Sequence, residues 1–491
     1  MVNRQHWYRH NMPPGIRDHR TSSRPGLGAG RHGVDPGGGP APLLPGLGVA
    51  PAGKPGAKRV LLINQYYWPD HASTAQHLTD LAESLTEAGY ECHVLASQGR
   101  YKPGEPRPLA FEIHNDVYIH RVYATSLGRR GTWARMTDYL SFYAGAAVKA
   151  LLMPRFDVVV TLTTPPLIGL VGTLLKRLKK TRHVYWSMDL HPDASLALGR
   201  MSHKGLFARL MYRLSGFVYS QADQVVVLGP YMADRIALKS VPPERITTIP
   251  VWSERDEIYP TPRDANPLRR VLGLDGVFVA MYSGNLGLAH SFDEFIEAAR
   301  RLGDRQDIVF LYVGEGPRLA EVKAARDSEG LANIRFLDYV PRSQLQASLA
   351  LADVHLISMR PEMTGIVVPG KLYGVMAAGR PAVFVGPEHC ESADTIRDAG
   401  CGVTITSGDA EGLVAALLRL ASNPSLARRM GEKGRSEFLT TYDRKVCSAH
   451  WRELIGNQVA RAETPRHVSA APRQGRDTLK VATVPFVTPS Q

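Results

Sequence analysis

The sequence predicts an α/β protein made of two tandem doubly wound, Rossmann-like domains that face each other across a cleft. Strands rich in β-branched residues alternate with helical segments over 57–250, and the same alternation starts again at 277. Continuous apolar strands separated by helices are typical of a parallel sheet covered on both faces. The length of 491 residues also exceeds that of one ordinary domain. Because such sheets bind ligands beyond the carboxyl ends of their strands, we expect the site in the cleft.

The first domain is predicted at 57–250. We expect its strands at 58–64, 91–97, 117–124, 156–163, 183–188, 222–229 and 245–250. Helical periodicity predicts helices over 74–89, 133–152 and 230–239, the first of them closed by Gly89. The apolar run 158–175 is interrupted by Pro165 and Pro166, so it indicates a strand, a break and a helix rather than a membrane span.

A polar linker is predicted at 251–276, and the second domain at 277–438. Its strands are expected at 277–284, 307–314, 334–340, 348–358, 380–386 and 401–408. Its helices are expected at 291–303, 317–330, 371–379, 410–422 and 424–438, followed by a terminal helix at 439–458.

The two ends of the chain differ from this body in composition. Residues 1–56 are rich in proline and glycine, which predicts a disordered leader or an over-extended start of the reading frame, and 459–491 predicts a disordered tail. The leader lacks the apolar core of a secretory signal. The four cysteines are scattered, which argues against a disulfide framework or a zinc site and favours a reducing cytoplasm. The net charge of +13 indicates an anionic partner.

In the first domain, polar side chains follow the strand 183–188 directly. Asp189 and His191 arrive where the strand ends, so we expect them to face the cleft, with Asp189 as polar anchor or base and His191 as its helper. Asp193 more simply caps the next helix. Ser73 and Thr74 stand where the helix 74–89 needs an N-cap, and this helix start is either a phosphate or acceptor site or a cap alone.

In the second domain, two glycine-rich turns follow successive strands. Gly284 and Asn285 follow the first strand, and Gly314 and Glu315 follow the next. Glycine lets the backbone approach a phosphate closely, and tight turns need glycine as well, so the two turns together indicate a nucleotide site.

A third segment of the second domain combines glycine with positive charge. Gly370 and Lys371 open the predicted helix 371–379, whose N–H groups and lysine ammonium suit a diphosphate. The alternative is a solvent-facing helix start with a surface lysine. Glu362 is a candidate for hydrogen bonds to sugar or ribose hydroxyls.

Five segments carry a family resemblance over about 58–457: NQYYWPDHASTAQHLTDLAESLTEAGYECHVLAS, MDLHPDASLALG, YSGNLGLAHSFDEFIEAARRL, LYVGEGP and VPGKLYGVMAAGRP. With them the chain resembles the GT-B glycosyltransferases of family 4, in the bacterial branch that builds capsular polysaccharides and exopolysaccharides on lipid carriers. The resemblance implies a retaining transferase with no metal or other cofactor. It also implies that the C-terminal helix returns to the N-terminal domain.

The sequence departs from that family in its donor-binding motifs. Many members carry two glutamates eight positions apart before an Ala-Ala-Gly motif, and here those places hold Ile366 and Gly374. Many also carry Arg and Lys after the first strand of the second domain, where this chain has GNLGLAHS. Lys371 is the candidate that supplies the missing charge.

A basic segment at 129–182 predicts contact with an anionic membrane surface. Apolar and aromatic residues lie among its basic side chains, which are Arg129, Arg130, Arg135, Lys149, Arg155, Lys176, Arg177, Lys179, Lys180 and Arg182. Each basic residue at such a surface contributes about 1 kcal/mol. The alternative is a solvated helix face over a packed core. Nucleic acid fits less well, because no nucleic-acid-binding motif accompanies the charge.

These observations predict a glycosyltransferase at the cytoplasmic face of the plasma membrane. It would move a hexose or N-acetylhexosamine from a nucleotide-sugar, UDP-linked by expectation, to a polyprenyl-diphosphate-linked saccharide in exopolysaccharide or cell-envelope glycan synthesis. A nucleotide-sugar epimerase on the same fold and a non-catalytic sugar-nucleotide-binding protein are the alternatives. A dinucleotide-dependent dehydrogenase fits poorly, since the glycine fingerprint and its downstream acid are missing.

Overall fold

The computed structural model describes residues 56–99, 106–125, 132–202 and 205–463. The predicted disordered leader, apart from Gly56, and the tail beyond Glu463 lie outside these residues. Residues 459–463, predicted as the start of the tail, instead continue the last helix. The helix continues because Val459 is buried against the body of the protein.

The N-terminal domain is an eight-stranded sheet of order β3-β4-β2-β1-β5-β6-β7-β8, parallel except at β3. Its strands are β1 (Arg59–Ile63), β2 (Glu91–Ser97), β3 (Phe111–His114), β4 (Val117–Val122), β5 (Val158–Thr161), β6 (Arg182–Trp186), β7 (Gln224–Val227) and β8 (Ile246–Thr248). Its helices are α1 (Ser73–Glu87), α2 (Thr132–Leu152), α3 (Gly169–Lys179), α4 (Asp193–Ala197), α5 (Leu206–Gln221) and α6 (Pro230–Ala237).

The C-terminal domain is a six-stranded, wholly parallel sheet of order β11-β10-β9-β12-β13-β14. Its strands are β9 (Phe278–Ser283), β10 (Ile308–Val313), β11 (Ile334–Leu337), β12 (Val354–Ser358), β13 (Ala382–Gly386) and β14 (Gly402–Thr406). The helices that follow α6 are α7 (Pro267–Val271), α8 (Asp293–Arg301), α9 (Leu319–Glu329), α10 (Leu345–Leu349), α11 (Lys371–Ala377), α12 (Glu391–Ala399), α13 (Ala410–Ser422), α14 (Pro424–Glu437) and α15 (Arg444–Glu463). The two-domain α/β fold is therefore as predicted.

Two local predictions are wrong. Strand β3 was missed; it forms a hairpin with β4, turning through Asn115 and Asp116, both with positive φ. The apolar run 348–358 is split, because α10 ends at Leu349 and the strand begins at Val354. All residues of the run except Asp353 are buried, which hides this break, since a short apolar run fits a buried helix or a buried strand equally well.

Three tryptophans connect the first sheet, the linker and the last helix. Trp186 ends β6, and its ring lies 4.6 Å from that of Trp451 in α15 and 5.8 Å from that of Trp252 in the linker. Arg452 of α15 also donates a hydrogen bond to Ser84 of α1, 2.7 Å away. The C-terminal helix thus packs on the N-terminal domain.

Each sheet has one switch point, which is the pair of neighbouring strands from which the chain adds further strands in opposite directions. In the first sheet this pair is β1 and β5, and β6 is the strand beside β5. In the second sheet the pair is β9 and β12. Ligands of doubly wound sheets bind beyond the carboxyl ends of the strands at such points. Among the described helices, none combines the length and apolar character needed to cross a membrane.

Candidate active site

The two glycine turns of the C-terminal domain pack against each other. They are 284–287 after β9 and 314–316 after β10, and the Leu286 N–H donates to Glu315 O at 2.8 Å. Gly314 and Gly316 have φ of +130° and +152°. A Cβ on Gly314 would lie 2.3 Å from Gly284 O, and one on Gly316 2.5 Å from Leu286 O. Glycine is therefore required here by the contact between the turns, whatever they bind.

The predicted polar residues of these turns face solvent. Asn285 and Glu315 are exposed, and the Asn285 backbone oxygen accepts a hydrogen bond from Tyr282 Oη at 2.9 Å. The helices after the turns begin later than predicted, α8 at Asp293 and α9 at Leu319. Asp293 and Glu294 occupy the first turn of α8, where they already complement its dipole. The α8 N-terminus is thus unsuited to a phosphate.

Lys371 lies at the second switch point, beside the turn 284–287. It is the first residue of α11, which follows the loop after β12, and Gly370 precedes it at the N-cap. Its side chain is half-buried, and a Cβ on Gly284 would lie 3.8 Å from Lys371 Nζ. Its side chain thus packs against this turn instead of extending into solvent. Because α11 has seven residues, its dipole is small, and the lysine ammonium carries the positive charge here.

The electrostatics around Lys371 follow from its burial. Desolvation lowers the pKa of Lys371 to about 7. Burial first, and then the neighbouring Lys371, lower the pKa of His290 to about 3, so this imidazole is neutral. His290 Nδ1 donates to the Ser358 carbonyl at the end of β12. The ammonium thus has a neutral aromatic neighbour rather than a second cation.

Asp189 and His191 follow β6, next to the first switch point, and both are half-buried. Burial raises the pKa of the Asp189 carboxyl, with His191 opposing, and burial lowers the pKa of His191, with Asp189 opposing. Ser215 of α5 donates to the His191 carbonyl at 2.8 Å, which fixes this segment from the other side. A carboxyl group with a raised pKa is better suited to accept a proton near neutral pH.

The segment that carries Asp189 contacts the C-terminal domain directly. The Leu190 N–H donates to the Ile366 carbonyl at 3.0 Å, in the loop that leads from β12 to Lys371. Nearby, Arg235 Nε donates to Thr364 O and Tyr231 Oη donates to Asp394, both at 2.7 Å. Asp189 and Lys371 thus belong to segments that meet across the cleft.

The remaining predicted residues are less clearly placed for chemistry. Ser73 and Thr74 are the first two residues of α1, while the N-cap position predicted for them is held by Ala72. Glu362 is exposed on a single 3-10 turn, Pro361–Met363. Asp193 is the first residue of α4 rather than its predicted cap, and it makes an ion pair at 2.9 Å with Lys239, two residues after α6.

Two residues that sequence reasoning missed are Tyr282 and His290. Tyr282 is buried in β9, where it reads as an ordinary core aromatic residue. His290 lies in the segment GNLGLAHS, which differs from the resembled family by lacking Arg and Lys. Both contacts with Lys371 join residues more than 80 positions apart, so no local pattern reveals them.

The places where many members of the resembled family carry two glutamates are packed. Ile366 is buried. A Cβ on Gly374 would lie 3.7 Å from Ser253 Oγ of the linker and 4.0 Å from the Ile258 side chain. These positions thus face protein rather than open space.

Comparison with known proteins agrees with this architecture. Residues 74–252 match the model of a glycosyl transferase 4-like domain, and 265–437 match that of glycosyl transferases group 1. A protein of Escherichia coli named as the colanic acid biosynthesis glycosyl transferase WcaI is 29% identical over 398 residues, which cover 76% of this chain and 96% of that protein. One of Pseudomonas aeruginosa named as glycosyltransferase WbjE is 26% identical, covering 60% and 74%.

The fold also matches solved structures. The crystal structure of Anabaena HepE in complex with UDP and glucose superposes with a TM-score of 0.63 at 14% identity, covering 82% of this chain and all of that chain. Together, the two domain matches extend over most of the described residues. The chain therefore belongs to the GT-B glycosyltransferases, among the family 4-like, group 1 enzymes.

Proposed function

We propose that this glycosyltransferase moves a hexose or N-acetylhexosamine from a UDP-sugar to a lipid-linked saccharide, with retention of anomeric configuration. The observation that carries the proposal is the Lys371 ammonium beside Gly284, at the switch point of the C-terminal sheet. A cation and backbone N–H groups at this place suit a diphosphate leaving group.

The donor assignment is supported by the charge balance of the cleft. Burial lowers the pKa of Lys371, and a bound diphosphate would offset that cost by pairing with the ammonium. The HepE structure contains UDP and glucose on the same fold, which favours a UDP-linked donor. We expect no metal or other cofactor, since lysine and backbone amides can stabilise the leaving diphosphate.

The transfer step follows from the two facing segments. The bond from the anomeric carbon to the diphosphate oxygen breaks, and the acceptor hydroxyl oxygen bonds to that carbon on the same face, so the configuration is retained. Lys371 stabilises the negative charge on the leaving diphosphate. Asp189, with its raised pKa, takes up the hydroxyl proton. His191 opposes that rise in pKa and so favours the carboxylate form.

The acceptor class is supported by the names of the relatives. WcaI is named for colanic acid biosynthesis, and the family resemblance implies polysaccharides built on lipid carriers. We therefore propose a polyprenyl-diphosphate-linked saccharide as acceptor, in exopolysaccharide or cell-envelope glycan synthesis. The enzyme would then act at the cytoplasmic face of the plasma membrane.

Several residues in the described part of the basic segment are not available to contact a membrane. Phe142, Ile168, Val171 and Leu175 are core residues, and Lys176 and Arg182 both pair with Asp223. Arg129 and Arg130 lie outside the described residues, as does the side chain of Arg135. The alternative, a helix face over a packed core, thus accounts for much of the segment.

An exposed apolar surface remains on α2 and α5. On α2, Leu140, Val148 and Leu152 are 63%, 58% and 79% exposed, at spacings that keep them on one side of the helix. On α5, Leu206, Phe207 and Leu210 are exposed beside Arg209 and Arg213. Apolar side chains next to arginines suit an anionic bilayer.

A donor screen tests the central proposal. The melting temperature of the protein is measured with UDP-, GDP- and dTDP-sugars, and only the true donor class should raise it. Product analysis without acceptor then separates the alternatives, because an epimerase converts the donor alone. A protein that binds UDP-sugar but gives no product with any acceptor, before and after Asp189→Ala, would be a non-catalytic binder.

Vesicle flotation tests the membrane proposal. The protein should bind vesicles containing phosphatidylglycerol and bind them less after Leu152→Asp. Leu109→Asp is the matched control, since Leu109 is 67% exposed but lies outside α2 and α5. Equal binding by both variants would contradict the proposed surface.

A further inference from the structure

Tyr282 contacts Lys371 in two ways. Lys371 Nζ donates a hydrogen bond to Tyr282 Oη, and Nζ lies 3.8 Å from the centre of the tyrosine ring. Tyr282 Oη in turn donates to the Asn285 carbonyl at 2.9 Å. The phenol therefore connects the ammonium to the backbone of the turn 284–287.

Tyr282 is itself held rigidly. It is fully buried in β9, and its ring packs edge-on against Phe292 at 5.0 Å between ring centres. A lysine side chain is flexible and loses considerable rotamer entropy when it is ordered. A fixed acceptor and a fixed aromatic face restrict the ammonium before any ligand binds.

The contact leaves the lysine able to bind a ligand. An ammonium has three N–H donors, and Tyr282 takes one of them. Nζ also lies near Gly284, whose φ of +122° turns the backbone there. His290, the other titratable neighbour, is neutral because burial lowers its pKa to about 3. The remaining N–H donors can therefore meet a diphosphate.

We propose that Tyr282 is a positioning residue, which holds the Lys371 ammonium over the turn 284–287 for the diphosphate of the donor. This inference rests on the proposed function, since it needs Lys371 to contact the donor. Tyr282 acts through Lys371 and takes no part in the bond changes themselves.

Tyr312 provides a matched control for a merely structural role. It lies on the neighbouring strand β10, is equally buried, and its ring centre is 6.2 Å from that of Tyr282. Among the described residues its hydroxyl has no hydrogen-bond partner. Tyr312→Phe therefore removes the same atom from the same core without touching Lys371.

The first experiment measures UDP binding by calorimetry and, with the donor from the screen, kcat and KM. Tyr282→Phe keeps the ring and loses the acceptor, so we expect UDP binding about tenfold weaker and a similar rise in donor KM, as for loss of a charge-assisted hydrogen bond. The kcat should change less than twofold. Tyr312→Phe should bind UDP as the unaltered protein does.

A double-mutant cycle completes the test. Lys371→Met should weaken UDP binding more than Tyr282→Phe, and adding Tyr282→Phe to Lys371→Met should weaken it no further. Independent, additive effects would overturn the positioning role while leaving the proposed function intact, as would unchanged binding by Tyr282→Phe. Unchanged binding by Lys371→Met would instead refute the donor contact and, with it, the proposed function of this site.

Discussion

The two domains share one architecture but present different chemistry at the same edge of their sheets. The N-terminal sheet offers a carboxyl group and an imidazole, Asp189 and His191, on one loop after β6. The C-terminal sheet offers backbone turns and the ammonium of Lys371. Burial raises the pKa of Asp189 and lowers that of Lys371. One physical cause, burial, thus shifts both groups toward their uncharged forms.

The largest effect should come from the N-terminal side. Asp189→Asn keeps the size of the side chain but cannot accept a proton, so transfer should fall at least about a hundredfold, as for loss of a general base. UDP binding should be unchanged, because the proposed contacts with UDP lie in the other domain. Steady-state rates and calorimetry separate the two.

Asp193→Asn is the control for this comparison. Asp193 lies four residues further on and pairs with Lys239, so its loss should affect stability rather than transfer. If Asp193→Asn reduces transfer as much as Asp189→Asn does, the loop acts through its structure and the assignment of Asp189 is wrong.

The next effect belongs to the C-terminal side. Lys371→Met removes the ammonium from the turn 284–287, and kcat/KM for the donor should fall roughly ten- to a hundredfold through loss of charge-assisted hydrogen bonds. Lys433→Met is the control, since Lys433 is exposed on α14 of the same domain. Equal losses in both variants would point to net charge rather than to the site.

The pH dependence of donor binding should follow Lys371. Its pKa is lowered to about 7, so the ammonium is present below that pH and is lost above it. Affinity for a UDP-sugar should therefore weaken as pH rises through 7, by at most about tenfold per pH unit. Calorimetry from pH 6 to 9 measures this. The same slope in Lys371→Met would assign the titration to another group.

The smallest effect concerns the glycine turns. Gly316→Ala would place Cβ 2.5 Å from Leu286 O, and we expect the free energy of unfolding of the C-terminal domain to drop by about 1–3 kcal/mol. Gly330→Ala is the control for Gly316→Ala. Gly330 also has a positive φ, +66°, but nothing lies within 4 Å of its Cβ position. Gly330→Ala should cost less, and denaturant unfolding compares the two. Equal costs would mean that backbone conformation, not the contact between the turns, requires glycine.

The sequence predicted most of the fold because continuous apolar strands such as β2 and β9 stand out between helices. Local detail was harder: nothing in the run 348–358 shows that its first part is helical. Lys371 could be proposed as a site residue from its place after Gly370. Its contact with Tyr282 could not, because it joins residues 89 positions apart. The burial that shifts the pKa values of Asp189 and Lys371 likewise depends on the complete fold.

The ring of Trp186 contacts those of Trp252 and Trp451, and these three indoles provide an intrinsic fluorescence signal. Trp186 is three residues before Asp189, Trp252 belongs to the linker, and Trp451 to the last helix. A rotation of the domains about the linker would change the contact between Trp186 and Trp252, and hence their fluorescence emission. Such a rotation could therefore be detected without a label.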